Sequence, residues 1–203
     1  MMKLVGSLTS PWVRKIRIVL AEKKIDYEMI VDSPWEAGNQ VSKYNPLGKV
    51  PVLLMEDGSS LYDSRVIADY LDTVTPLSRL IPEANHERIA TKRWEALADG
   101  VTDAAVSALL ESRRKASEQS KSWIERQRGK VALGLEAMST ELGEQPWCTG
   151  NSYSLADVSV GACLGFLEFR FKDIEWRKTY PNLDKLFDKL MQRQSLIDTV
   201  PKA

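Results

Sequence analysis

The residues with the most chemistry lie early, in the run Gly6-Ser7-Leu8-Thr9-Ser10-Pro11-Trp12-Val13-Arg14-Lys15. Ser10 stands directly before Pro11, and apolar residues then recur at Val13, Ile16 and Leu20. A serine hydroxyl can accept from an otherwise unpaired N–H at a helix start, and proline at the first helical position gives up an N–H that needed no partner. Spacing alone therefore reads Ser10 as a helix cap. The same hydroxyl keeps one proton while a lone pair does the capping, and that proton can point at an anion above the helix end. The helix dipole and any free N–H groups favour such an anion. A site of this kind suits a thiolate.

Other routes to chemistry are sparse. Cys148 and Cys163 are too far apart for a C-x-x-C motif and too few for a disulfide scaffold. Cys163 lies in the apolar run from Val158 to Phe171, and Cys148 follows Trp147 in a loop bounded by proline and glycine, so both read as packed thiols. The one histidine, His86, sits beside Asn85 at a helix start and reads as solvated. A Ser-His-Asp or Cys-His mechanism would have to use that single imidazole, and no His/Cys cluster is present to hold zinc. There is no Gly-rich phosphate loop.

The elements that must position Ser10 follow from periodicity. Lys3 to Val5 reads as a strand, Pro11 to Lys24 as an amphipathic helix, and Tyr27 to Val31 as a second strand. A strand-helix-strand order of this length predicts parallel pairing. The segment from Trp35 to Tyr44 is polar and weakly helical. Asn45-Pro46-Leu47-Gly48 is a turn, Val50 to Met55 a strand, Glu56-Asp57-Gly58-Ser59 a hairpin, and Ser60 to Tyr62 its antiparallel return. Asp63 then caps a helix with Val66, Ile67, Tyr70 and Leu71 on one face.

Beyond Pro76 and Pro82 every pattern is helical. His86 to Lys115 reads as one long helix, bent near Gly100, followed by helices at Ser122 to Leu142, Ser154 to Phe171 and Pro181 to Gln194. The third of these is apolar nearly all round, so it belongs in the middle of a bundle. At its start, Ser154 and Asp157 have capping-box spacing, with Tyr153 and Val158 placed as a hydrophobic staple, which makes Asp157 structural. The expected domains are residues 1–78, a linker at 79–85, and an all-helical domain at 86–203.

With 203 residues, 28 basic and 28 acidic, the chain is long enough for a full core and carries no basic surface for nucleic acid or membrane. Ten residues of each sign precede residue 80, so both parts balance. Met1 to Gly6 lacks the apolar run of a signal peptide, and no later stretch approaches a membrane span. The expectation is a soluble cytoplasmic protein.

Taken together, the βαβ-ββα order, the Thr9-Ser10-Pro11-Trp12-Val13-Arg14-Lys15 loop, Val50-Pro51 before a strand, Asp63-Ser64 opening a helix, and Ser154-x-x-Asp157 in a helical second domain resemble the cytosolic glutathione transferase family. The resemblance covers nearly the whole chain. Serine directly before proline resembles the bacterial and plant-type serine members. The implied fold is α/β plus all-α: a thioredoxin-like domain followed by a helical bundle.

That resemblance implies roles. Ser10 would donate its hydroxyl to the sulfur of glutathione, with Thr9 able to share or replace it. Val50 would pair its backbone with the cysteinyl unit, as an added strand pairs with an edge, and Pro51 would be cis. Asp63 and Ser64 would hold the γ-glutamyl end, and Lys49 would approach the glycyl carboxylate. Glutathione is the implied co-substrate, no metal is expected, and the family's habit implies a homodimer. The implied activity is detoxification chemistry: addition of glutathione to a small electrophile or reduction of an organic peroxide.

The electrophile pocket is expected between the domains, under Trp12 and near Leu109, Leu110, Arg113 and Arg114, where the arginines would favour an anionic second substrate. Asp99 and Asp103 are expected at the surface or against a partner subunit. Two alternatives stand beside the enzyme. One is a binding module of the same fold with weak or no catalysis; retention of Ser10, Val50-Pro51 and Asp63-Ser64 argues against loss of the tripeptide site but does not establish turnover. The other is a cysteine-dependent reductant, which requires a sulfur where Ser10 stands.

Overall fold

A computed structural model describes residues 1–202. They pack into two units, Met1–Ile81 with residues 193–202, and Pro82–Gln192.

The first unit runs β1 (Lys3–Gly6), α1 (Pro11–Glu22), β2 (Glu28–Val31), α2 (Val41–Tyr44), β3 (Val52–Leu54), β4 (Ser60–Leu61) and α3 (Ser64–Val74). The sheet order is β2-β1-β3-β4; β1 and β2 are parallel and the remaining pairs antiparallel. This is the thioredoxin-like arrangement. Leu4, Val5, Val52 and Leu53 of the strands are fully buried, as are Val13, Ile16 and Leu20 of α1 and Ile67 and Leu71 of α3. Burial of such side chains contributes about 1.5–3 kcal/mol each. Val66, expected on the buried face of α3, is 48% exposed, because α1 and α3 meet along the Ile67–Leu71 stripe. The strand and helix after the first turn are held close by Gly6, where an added Cβ would collide with Val13. The segment read as weakly helical forms one helical turn, α2.

The second unit contains α4 (Asn85–Ser112), α5 (Lys121–Leu142), α6 (Leu155–Arg170), α7 (Trp176–Thr179) and α8 (Pro181–Leu190). α4 packs against both α5 and α6 and runs unbroken through Gly100. Val101 of α4 sits over Gly134 of α5, where a side chain would collide with it. α6 is buried along nearly its whole length, as its all-round apolar pattern requires. Asp99 departs from the surface reading: it is buried, whereas Asp103 is exposed.

The unit boundaries differ from those expected at both ends. Asp72, buried in α3, receives Lys23 Nζ at 3.1 Å and the N–H groups of Leu80 and Ile81 at 2.9 and 3.1 Å. That anchor keeps residues 80 and 81 with the first unit. At the other end, the stretch read as the tail of the last helix breaks after α8 and forms α9 (Gln194–Ile197), which packs on α1. Arg193 makes a bidentate pair with Glu22 at 2.8 and 2.6 Å, Arg14 donates to the Leu196 carbonyl at 3.3 Å, and Leu196 is fully buried. No periodicity signals a pairing 171 residues apart in the chain.

Candidate functional site

The start of α1 is built as its sequence dictates. Ser10 is the N-cap, with extended backbone, and its Oγ accepts from Val13 N–H at 3.4 Å while its carbonyl accepts from Arg14 N–H at 2.9 Å. Pro11 occupies the first helical position, and the first turn has no acidic residue. Ser7 organises the approach: its carbonyl accepts from Ser10 N–H at 3.1 Å, its hydroxyl from Thr9 N–H at 3.4 Å, and its Oγ lies 3.0 Å from Thr9 Oγ1. Ser7, Thr9 and Ser10 are all half-buried, open to solvent on one side. The amides at 9, 10, 13 and 14 are thus paired within the chain and Pro11 has none, which narrows the expected supply of free N–H groups.

Val50 and Pro51 precede β3, and the peptide between them is cis, as the resemblance implies. Asn45, nearly fully buried, builds the turn that delivers them. Its Oδ1 accepts from Leu47 N–H at 3.0 Å, its Nδ2 donates to the Lys49 carbonyl at 2.9 Å, and its own carbonyl accepts from Gly48 N–H at 2.8 Å. Gly48 takes φ +59°, a left-handed conformation that favours glycine. The Lys49 side chain projects from this turn into solvent.

Asp63 is the N-cap of α3, its Oδ1 accepting from Arg65 N–H at 2.9 Å, and the Tyr62–Asp63 peptide is cis. Asp63 is exposed, whereas Ser64 at the first helical position is buried. Sheet register relates the three segments. β1 pairs with β3 as Val5 with Val52, and β3 with β4 as Leu53 with Leu61. Carried one to three residues further, these antiparallel registers set Val50-Pro51 level with Gly6-Ser7 on one side and with Asp63-Ser64 on the other. One end of the sheet therefore gathers Thr9, Ser10, Lys49, Val50, Pro51, Asp63 and Ser64. Two helix N-termini, α1 and α3, open at that end, an arrangement able to hold anions.

Sequence reasoning assigned no role to Ser7 or Asn45. The signal for Asn45 was its place in an Asn-Pro-Leu-Gly turn, where asparagine bonds its own backbone; Ser7 carried none beyond its proximity to Ser10.

Groups elsewhere are silent. Cys148 is buried, and burial first, then the charge of Asp157, pushes its thiol well above the usual range. Burial pushes the Cys163 thiol up to about 12, against a hydrogen bond with Thr102. Asp157 accepts from Ser154 N–H at 2.9 Å and from Cys148 N–H at 2.8 Å, completing a capping box with one extra tether. Burial raises its carboxyl while those bonds oppose the rise. The Tyr153 ring meets Trp147 edge-on at 5.2 Å. His86 is exposed. Arg114 pairs with Glu111 and Glu118, whereas Arg113 is exposed and its charge, after burial, lowers the pKa of Arg170. Among the described residues no group of three or more His, Cys, Asp or Glu could hold a metal ion, and no helix is long and apolar enough to cross a membrane.

Residues 9–74 match the family model of the glutathione S-transferase N-terminal domain, and residues 121–189 that of its C-terminal domain. The chain is 38% identical to the uncharacterized GST-like protein YibF of Escherichia coli K12, covering 98% of each. A solved glutathione S-transferase from Methylobacillus flagellatus KT with glutathione bound is 49% identical, with a TM-score of 0.97 and both chains covered fully. A family member from Pseudomonas fluorescens Pf-5, solved with S-(propanoic acid)-glutathione, is 32% identical with a TM-score of 0.87, covering 100% of this chain and 98% of its own.

Proposed function

The chain belongs to the glutathione S-transferase family, and from that membership we propose that it binds glutathione at the first unit, holds the sulfur as a thiolate over the start of α1, and transfers it to a small electrophilic carbon. The observation that carries this reading is the state of α1's N-terminus. Ser10 uses one lone pair on Val13 N–H and donates to no other described group, while the first turn supplies no carboxylate of its own. An anion from outside can complete it.

A free thiol has a pKa near ~8.5 and is mostly protonated at neutral pH; each ~1.4 kcal/mol of preference for the anion shifts that ionisation tenfold. A hydroxyl proton and a helix end supply such preference. On binding, the thiol proton passes to water, so no general base is needed. The thiolate pair then forms a C–S bond; at a saturated carbon the leaving group departs with the C–X pair, and at a conjugated alkene the displaced π pair takes a proton from water. The S-(propanoic acid)-glutathione bound by the Pseudomonas fluorescens relative is a thioether of the kind such chemistry yields, and it supports a carbon electrophile.

The assignments of Val50-Pro51 to the cysteinyl unit, Asp63 and Ser64 to the γ-glutamyl end, and Lys49 to the glycyl carboxylate belong to this reading. Their common position at one sheet end supports them. A homodimer and a cytoplasmic location are part of it as well; sedimentation of the purified protein tests the first and cell fractionation the second.

Glutathione-agarose retention followed by a chlorodinitrobenzene assay tests the function, with wild type set against Ser10→Ala and Thr9→Ala. Retention and turnover in wild type, with turnover reduced in Ser10→Ala, is expected. Retention without turnover on a broad panel of electrophiles would convert the reading to a binding module. Failure to be retained would remove glutathione altogether.

A further inference from the structure

We propose that Ser7 is a positioning residue for the sulfur: its hydroxyl donates to Thr9 Oγ1 and thereby turns the Thr9 proton outward as a second donor to the thiolate, beside that of Ser10. The proposal rests on the glutathione reading above and deepens it.

Counting protons leads there. The amides of Thr9 and Ser10 are both taken by Ser7, through its hydroxyl and its carbonyl, and those of Val13 and Arg14 are taken by Ser10. Pro11 has no N–H. The donors left for a sulfur anion at this loop include the Trp12 N–H, at the second helical position, and the hydroxyl groups. Ser10 keeps its proton, since its oxygen acts only as an acceptor. The Ser7–Thr9 pair, 3.0 Å apart, uses one of its two protons internally and has one left.

Two arrangements of the pair are open to it. If Thr9 donates, Ser7 Oγ accepts from both Thr9 groups and the remaining proton sits on Ser7. If Ser7 donates, its oxygen still accepts from Thr9 N–H, and the remaining proton sits on Thr9, next to Ser10. An arriving anion selects the second arrangement, because it alone leaves donor protons on two consecutive residues, Thr9 and Ser10. A hydroxyl that accepts while it donates is polarised into a stronger donor. No covalent bond changes in this pair; the thiol proton still leaves to water.

The test is the apparent pKa of enzyme-bound glutathione, read from the ultraviolet absorbance of its thiolate across pH. Ser7→Ala is expected to raise that pKa by about half a unit to one unit, the scale of one hydrogen bond. Ser7→Thr, which keeps the hydroxyl, is expected to restore the wild-type value. In a Thr9→Ala background the Ser7→Ala shift should vanish, whereas in a Ser10→Ala background it should persist. A merely structural role would lower melting temperature without that pattern. An unshifted pKa in Ser7→Ala, or a shift that adds in full to that of Thr9→Ala, overturns the assignment of Ser7 while leaving the glutathione reading intact. Absence of any bound thiolate in wild type overturns both.

Discussion

Three helices of this chain, α1, α5 and α6, start with a serine cap, and α6 and α1 finish the job differently. At α6, Ser154 is buried, its Oγ accepts from Ala156 N–H at 3.2 Å, and Asp157 reaches back to the Ser154 N–H at 2.9 Å. The positive end of that helix is neutralised by its own carboxylate. At α1, Ser10 is half-exposed, its capping bond is long at 3.4 Å, and no acid sits in the first turn. That end is left for something else. The two caps thus differ in whether the helix end carries its own carboxylate, and the proposed glutathione site uses the end that does not.

The largest effect that could break this comparison is expected at Asp157. Asp157→Ala strands the buried N–H groups of Cys148 and Ser154, each unsatisfied donor costing about 1–3 kcal/mol. Denaturant midpoints should fall by the equivalent of about 3 kcal/mol or more, with the remaining folded protein still retained on glutathione-agarose. The same residue gives a pH dependence. Its folded pKa is raised by burial, so its contribution is complete below the ordinary aspartate value of ~3.9 and is lost as pH climbs through the raised value. Asp157→Asn should remove that downward slope from a plot of stability against pH; an unchanged slope would place the titration elsewhere.

Next in size is Ser10→Ala, where the two effects should separate. Loss of a long, half-exposed cap should cost about 0.5 kcal/mol of stability, the low end for caps. Conjugation at neutral pH, measured as kcat/KM, should fall about tenfold, equivalent to ~1.4 kcal/mol in the ionisation of the bound thiol. Equal destabilisation by Ser10→Ala and Asp157→Ala would erase the distinction between the two caps.

The α6 cap was the more legible of the two in the sequence, because Ser154 and Asp157 act within one turn and the box is a local pattern. The order of strands and helices in the first unit was legible for the same reason: period, glycine and proline are local signals. Non-local bonding was not. Asp72 capturing Leu80 and Ile81, and Arg193 returning to Glu22, join residues whose spacing follows no helical or strand period, and they moved both unit boundaries. Asp99 was misplaced because charge argues for exposure until neighbouring helices bury it. Ser10 was legible as a cap, but the pairing of the surrounding amides with Ser7 required the folded loop.

The finest test supplies α1 with the carboxylate it lacks. Trp12 occupies the second helical position, half-buried, and Trp12→Glu would bring a negative charge into the first turn. A carboxylate there favours the helix by about 0.3–1 kcal/mol, and an anion arriving from outside must then share the same dipole with it. Removal of the indole has its own consequences, so the informative quantity is the difference between Trp12→Glu and Trp12→Gln, which match in size and differ in charge. Glutathione affinity should be about two- to fivefold weaker in the glutamate variant, and the difference should shrink as salt is added, since charges at an exposed helix end are screened over roughly 10 Å at 0.1 M. Equal affinities in the two variants at low salt would mean that the helix end contributes nothing to holding the sulfur, leaving the hydroxyl protons to do all of it.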